Sequence, residues 1–240
     1  MKHNNKNIAM AVLILLISLN LSVIKSEAKF LSPGMKTTSV HYYIIKAAES
    51  GNPGEVSAKL QNKTKTIKIP DTVEINGNIY VVTEVTGLCY PDSLDLSIKT
   101  DVYKCRKNQK TTEVILPKTI RNVEKGTFTN FTKLKKITVD KSNLKFTSVN
   151  GALLSQDGTI LYGVPSAKGT YRVPNGVIVI ASRTFAYSKV EKVILPKSCK
   201  EIKTKAFYNS KYLKNIKNLS SVEKLGTDTF YGTKLKGYTK

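Results

Sequence analysis

The stretch Val114-Ile-Leu-Pro-Lys-Thr-Ile-Arg-Asn-Val-Glu-Lys-Gly-Thr-Phe128 decides the fold, because its spacing recurs along the chain. Apolar or aromatic residues lie three, six and eleven positions beyond its proline, at Ile120, Val123 and Phe128. The same offsets follow Pro174 and Pro196, and two copies without the proline start from Ile79 and Leu219. The slots of these copies hold Val177, Ile180 and Phe185; Cys199, Ile202 and Phe207; Val82, Val85 and Tyr90; and Val222, Leu225 and Phe230. The chain therefore contains an internal repeat.

The repeat has the length of one solenoid coil. Phe185, Phe207 and Phe230 are separated by 22 and 23 residues, which lies in the range of leucine-rich repeats. A second apolar pair follows the aromatic slot, as Val190 and Val193 follow Phe185. One repeat cannot bury its own apolar side, so neighbouring coils must stack into a continuous core. The sequence predicts a mainly β leucine-rich-repeat solenoid with short helical or turn segments, and its structural core should contain Phe128, Phe185, Phe207 and Phe230.

Two of these stretches resemble the BspA-type leucine-rich repeats of bacterial surface proteins. They are the stretch quoted above, with Leu134-Lys-Lys-Ile137 after it, and Val193-Ile-Leu-Pro-Lys-Ser-Cys-Lys-Glu-Ile-Lys-Thr-Lys-Ala-Phe207. The segment Asn150-Gly-Ala-Leu-Leu-Ser-Gln-Asp-Gly-Thr-Ile-Leu161 looks like the hairpin that such proteins often carry, so the resemblance covers about residues 66–237. It implies a solenoid, a surface-associated life outside the cell and, for some members, adhesion to host matrix proteins or other cells. It carries over no catalytic residue.

The first 28 residues have the pattern of a secretory signal peptide. Lys2 and Lys6 precede an apolar run from Ile8 to Ile24, and Ser26-Glu-Ala28 places small residues where cleavage requires them. The alternative is a retained membrane anchor, but the run is just short of a comfortable span. We expect cleavage after Ala28, an extracellular product that is secreted or held at the cell surface, and no transmembrane span in the mature chain.

The remaining chain divides into a cap and the repeats. Residues 29–78 predict an N-terminal cap of β-strands with a hairpin turn at Asn76-Gly77, since the end of a solenoid core must be covered. The leucine-rich repeats should occupy residues 79–240. A hairpin insert near 144–165 interrupts them and accounts for the long gap between the first two phenylalanine slots.

The charge of the chain bears on its partners. Removing Lys2, Lys6, Lys25 and Glu27 from its 39 basic and 17 acidic residues leaves a net charge of +20. Such an excess draws a protein to anionic surfaces by long-range, salt-sensitive attraction, although a lysine-rich surface that serves only solubility is an equally open interpretation. The partners we expect are an extracellular protein or an anionic polymer, such as host matrix, wall polymer or acidic glycan; nucleic acid is the weakest candidate.

A set of lysines offers a candidate binding surface. When the copies are aligned on the apolar slot of Leu134, the residues beside this slot are repeatedly lysine. Neighbours of an inward-pointing residue face solvent in an extended segment, and stacked strands lie roughly 5 Å apart. The pattern predicts a row of lysines for a polyanion or partner, unless these lysines merely solvate exposed positions. The candidate residues are Lys189, Lys214, Lys234 and Lys236.

Catalytic and cofactor motifs are missing from the sequence. His41 is the one histidine beyond the signal segment, and no nucleophile motif accompanies it. The sequence has no metal-ligand spacing and no phosphate-binding glycine loop, so we expect no cofactor. Cys199 fills an apolar repeat slot, and a disulfide between Cys89 and Cys105 is an open possibility in an oxidising exterior.

These observations favour a binding module, for adhesion or for holding a protein or polyanion, that is not an enzyme. Two alternatives stay open at the level of sequence. One is a structural protein of the cell envelope held by charge, and the other is an enzyme-associated domain, for which no acid–base constellation is present.

Overall fold

The computed structural model describes residues 32–37, 39–61, 64–87, 110–129 and 131–237. The signal segment, Cys89, Cys105 and the slot residue Tyr90 lie outside the described residues. Within them the only helix is the 3-10 turn Leu219–Ser221, and all other regular structure is strand. In the described part of the chain, no helix has the length and apolar character needed to cross a bilayer. The mainly β class predicted from the repeat is confirmed.

The strands are short and number eighteen in the described residues. In chain order they are β1 (Ser32–Lys36), β2 (Val40–Lys46), β3 (Gly54–Leu60), β4 (Thr66–Lys68), β5 (Thr72–Ile75), β6 (Asn78–Thr86), β7 (Glu113–Leu116), β8 (Asn122–Val123), β9 (Lys136–Val139), β10 (Phe146–Val149), β11 (Ala152–Ser155), β12 (Ile160–Gly163), β13 (Lys168–Arg172), β14 (Val179–Ile180), β15 (Lys189–Ile194), β16 (Glu201–Ile202), β17 (Asn215–Lys217) and β18 (Lys224–Leu225).

The N-terminal sheet has the strand order β1-β2-β3-β6-β5. Asn76 and Gly77 form the turn between β5 and β6, both with positive φ, as a two-residue Asn-Gly hairpin requires. The first half of β6 pairs with β5, and its second half pairs in parallel with β8, with Glu84 opposite Asn122. Strand β6 thereby joins the N-terminal sheet to the first repeat.

Parallel strands from successive coils form the two long sides of the solenoid. One side consists of β4-β7-β9 and, further along, β13-β15-β17; the other is the ladder β12-β14-β16-β18. The coil length is visible in the register, because Ile180 lies opposite Ile202 and Ile202 lies opposite Leu225. The solenoid predicted from the repeat is therefore confirmed.

Tight turns close each coil between its two sides. The same turn position has positive φ in four coils: Gly126 at 79°, Arg183 at 62°, Lys205 at 59° and Asp228 at 54°. Backbone hydrogen bonds link adjacent turns, such as Phe207 N to Thr229 O at 2.9 Å. Left-handed residues are costly unless the surroundings enforce them. Stacking against an adjacent coil enforces this conformation even where the residue is not glycine.

The hairpin β10–β11 lies between the first and second regular coils. Its turn is Asn150-Gly151, both with positive φ, and Val149 lies opposite Ala152. Strand β12 follows and pairs in parallel with β14, so the end of the segment 144–165 already belongs to the repeat ladder. The three residues Ala152, Leu153 and Leu154 are all buried. Both faces of β11 therefore contact apolar interior.

Two apolar clusters meet at β11. The first core extends from Val40 to Leu153 and is mostly aliphatic. The second core, from Ala152 to Leu235, is centred on stacked rings, with Phe185–Phe207 centroids 4.8 Å apart and Phe207–Phe230 centroids 5.6 Å apart. The four phenylalanines named from the sequence are all buried, Phe128 at 8% exposure and the other three at 3% or less.

Candidate functional site

The sheet β13-β15-β17 exposes a surface that is almost wholly basic. Its apolar residues, including Val190, Val193 and Ile216, point into the second core. Among the charged residues of these three strands, Glu191 is the single acid. The exposed cations of the sheet and of its continuation in the last coil are Lys168, Arg172, Lys189, Lys192, Lys214, Lys217, Lys234 and Lys236, which together are called the basic face below.

An irregular register widens this face. Gly169 lies opposite Val190, but the next residue, Thr170, lies opposite Lys192, so Glu191 is the extra residue of a bulge. Two consecutive side chains, Glu191 and Lys192, consequently point to solvent between the buried valines. Both neighbours of the slot residue Val190 are exposed, as expected from the sequence, but Lys192 lies two residues from the slot and its exposure was not expected.

The four lysines named from the sequence are all exposed, but they do not form an unbroken row of lysines. Lys189 lies opposite Lys168 in the sheet, whereas the backbone N–H of Lys234 donates to Leu213, beside Tyr212. Lys214 has its Nζ 3.7 Å from the carboxylate of Glu191. Both partners of this pair are more than half exposed, so it contributes little and leaves the face strongly positive.

Ion pairs between lysine and glutamate occur on other sides of the solenoid. On the neighbouring sheet β4-β7-β9, Lys136 Nζ is 2.9 Å from Glu113, and this hydrogen bond lowers the pKa of the Glu113 carboxyl. Beside the ladder of β16 and β18, Lys200 Nζ is 2.7 Å from Glu223 and lowers the pKa of that carboxyl in the same way. Lysine–glutamate pairs are therefore present on other sides of the solenoid, and the basic face carries part of the net positive charge of the chain.

An open cleft of about 470 Å³ adjoins the basic face. Its walls are the turn of the first regular coil on one side and the turns of the second and third coils on the other, and its floor is the chain that returns from the hairpin insert. Lys189 belongs both to this cleft and to the basic face. The lining residues are Phe128, Thr129, Phe131, Thr132, Val164, Pro165, Ser166, Ala167, Thr184, Ala186, Tyr187, Ser188, Lys189, Asn209, Lys211 and Tyr212.

The insert explains why the two coils separate here. At one end of the turns they still touch, since Thr129 Oγ1 donates to the carbonyl of Arg183 at 3.4 Å. Further along, the returning chain bonds to the first coil, with Ser166 N and Oγ donating to the carbonyls of Leu134 and Thr132, each at 2.8 Å. The coils diverge around this returning chain, and the space between their turns stays open.

The residues considered from the sequence as catalytic candidates or metal ligands do not line the cleft. Cys199 is fully buried in the second core, and burial raises the pKa of its thiol to about 11, which suppresses the nucleophilic thiolate at neutral pH. His41 lies opposite Lys59 in the β2–β3 pairing. Among the described residues, no three histidines, cysteines or carboxylates are grouped as a metal would require. The Cys89–Cys105 pairing lies outside the described residues and stays a prediction.

A solenoid of short parallel strands that recur every 22 or 23 residues defines a leucine-rich-repeat protein. The chain belongs to the family of the BspA-type leucine-rich repeat region, whose model matches six copies over residues 96–150 and 169–239. The resemblance noted in the sequence is confirmed. No significant match is found among curated protein sequences.

Matches among solved structures come from several bacteria. The pneumococcal vaccine antigen PcpA shares 17% identity over 87% of this chain and 81% of its own, with a TM-score of 0.43. A leucine-rich repeat protein from Eubacterium ventriosum shares 14% identity over 83% and 69% of the two chains, with a TM-score of 0.49. A leucine rich cell surface protein from Faecalibacterium prausnitzii shares 15% identity over 84% and 80%, with a TM-score of 0.33.

Proposed function

We propose that this protein is a non-catalytic binding module that acts outside the cell, secreted or at the cell surface, and holds an anionic polymer or an acidic protein surface against its basic face. The observation that carries the proposal is the set of eight exposed cations gathered on one side of the solenoid with a single acid among them. The signal-peptide pattern of residues 1–28 supports export.

The spacing of the strands gives the face its affinity for polyanions. Neighbouring strands lie roughly 5 Å apart, well within the screening length of about 8 Å at physiological salt, so the fields of the lysines add. Lys168 lies opposite Lys189, and the outward Lys192 lies opposite Thr170 on one neighbouring strand and Asn215 on the other. An anionic chain laid across the strands would relieve the repulsion among these cations.

The test compares two sets of four lysines that alter the net charge equally. One variant changes Lys189, Lys192, Lys214 and Lys217 of the basic face to Gln, and the matched control changes four exposed lysines elsewhere: Lys65, Lys68, Lys118 and Lys141. We expect the face variant to lose about tenfold in affinity for heparin at 0.15 M salt, which is about 1.4 kcal/mol, and to elute earlier in a salt gradient. The control should lose far less.

Equal losses in the two variants would contradict the proposal, because they would reduce the interaction to diffuse net charge. Binding that survives in high salt would contradict it as well. Circular dichroism and thermal unfolding of both variants verify that the substitutions, all at exposed positions, leave the fold intact.

A further inference from the structure

We propose that the cleft beside the basic face binds one acidic sugar unit, a pyranose that carries a carboxylate, of a polysaccharide chain. This inference rests on the proposed function and deepens it, because it names the class of anionic polymer. The cleft measures about 470 Å³, inside the range of about 300–1,000 Å³ typical of small-molecule sites. A site of this size accommodates one or two sugar rings rather than a protein surface.

The chemistry of the lining fits a carboxylated sugar. Rings of Tyr187 and Tyr212 offer apolar surface for the C–H faces of a pyranose. Hydroxyl groups of the lining can donate to or accept from sugar hydroxyls. Lys189 and Lys211 supply ammonium groups for a carboxylate, and no aspartate or glutamate is among the residues that line the cleft.

A departure from the repeat places Tyr212 at the cleft. The residue before the inward apolar slot is Lys189 in the preceding coil and Lys234 in the following coil, but Tyr212 in the coil between them. The Tyr212 side chain is 52% exposed, so core packing does not account for the aromatic residue. An exposed ring at the rim of a cleft is suited to stack on a ligand.

A second departure concerns the backbone of Tyr187. Hydrogen bonds from Tyr187 N to Tyr208 O and from Asn209 N to Tyr231 O align Tyr187 with Asn209 and Gly232 in the next two coils. All three residues have positive φ, and Tyr187 has 58°. Asparagine and glycine tolerate this conformation, whereas a bulky residue there is uncommon. The second coil thus has a tyrosine in the cleft at a turn position where the next two coils have residues better suited to positive φ.

Lys189 connects the two surfaces, because it lines the cleft and lies opposite Lys168 on the basic face. A polysaccharide lying across the strands can therefore place one of its units in the cleft. The face would provide salt-sensitive, length-dependent attraction, and the cleft would provide a contact specific for the sugar.

The experiment uses the whole secreted chain and isothermal titration with digalacturonate, with maltose as an uncharged disaccharide of the same size. We expect digalacturonate to bind at least about fivefold more tightly than maltose. Tyr212→Ala should weaken digalacturonate binding at least about fivefold, and Lys211→Gln at least about threefold. The matched controls are Tyr231→Ala, an exposed tyrosine of the last coil outside the cleft lining, and Lys118→Gln, at an exposed lysine outside both the cleft and the basic face; each should bind within about twofold of the parent.

Several results would overturn the inference. Equal effects of Tyr212→Ala and Tyr231→Ala would mean that the sugar does not bind in the cleft. Equal affinity for maltose and digalacturonate would mean that binding does not require a carboxylate on the sugar. Tighter binding of a mononucleotide than of digalacturonate would assign the cleft to another ligand class. The failure of one proposal can be distinguished from the failure of the other. If Tyr212→Ala leaves the affinity for digalacturonate unchanged, while the four-lysine variant of the basic face still has reduced affinity for heparin, only the proposal about the cleft fails.

Discussion

The two cores of the molecule are built with different chemistry. In the first core, β6 buries the carboxylate of Glu84, to which Ser57 donates at 3.2 Å and Asn122 of β8 donates as well. Around the second core the buried polar residues of the described chain are threonines and one serine, and this core is centred on a stack of phenylalanine rings from three successive coils. Directional bonds to a buried carboxylate fix how one sheet meets the next strand, whereas stacked rings permit the same coil to be added repeatedly.

Truncation of the ring stack should have the largest effect on this comparison. Phe207 is fully buried between Phe185 and Phe230, so Phe207→Ala removes contacts on both faces of the ring and leaves a cavity. We expect a loss of about 3–5 kcal/mol in the free energy of unfolding, measured by urea denaturation. Phe128→Ala should cost less, because Phe128 borders the open cleft and lies outside the stack. Equal losses would mean that the stack gives the second core no special stability.

Removal of a donor to Glu84 tests the other half of the comparison. Asn122→Ala leaves the buried carboxylate without one of its hydrogen bonds, and a bond to such a group typically contributes about 1.5–3 kcal/mol. We expect a loss in that range by urea denaturation. Asn215→Ala, at an exposed position of the basic face, is the matched control and should change stability by less than about 0.5 kcal/mol. A loss no larger than the control would show that Glu84 does not hold β6 and β8 together.

The smallest effect on stability is expected from the thiol of Cys199, and the reactivity of this thiol reports how well the second core excludes solvent. Burial raises its pKa to about 11, so at pH 8 about one thiol in a thousand is ionised in the folded protein. In a variant with Cys89→Ser and Cys105→Ser, alkylation by iodoacetamide at pH 8 should be at least about a hundredfold slower in the native state than in urea. Similar rates in both states would mean that the second core opens readily.

The sign of the pH dependence follows from the same shift. The thiol is neutral in both the folded and the unfolded state below its unfolded pKa, and burial keeps it neutral up to a higher pH in the folded state. Its contribution to stability is therefore complete below about pH 8.5 and is lost as the pH rises toward 11. Tyr171, whose pKa is raised to about 12 by burial in the same region, adds to the loss at still higher pH.

Much of the fold was predictable from local pattern. The repeat spacing identified buried slots such as Phe185 and Phe207, because a coil between two others has to place an apolar residue at the same point of a shared core, whereas the slot residue Leu225 of the last coil is 45% exposed. The turns at Asn76-Gly77 and Asn150-Gly151 were predictable because Asn-Gly readily adopts the positive φ angles that a tight hairpin needs. These features depend on residues close together in the sequence.

The candidate site was predictable only in part, and the reason is again physical. The sequence determined that Lys189, Lys214, Lys234 and Lys236 face solvent, since each flanks an apolar slot. Only the tertiary structure decided that a bulge at Glu191 turns Lys192 outward, because the register is fixed by pairing with another coil. The cleft likewise depends on where the chain returns from the insert and holds two distant turns apart. Its rim residues, Tyr187 and Tyr212 among them, come together through stacking of whole coils, which no short stretch of sequence encodes.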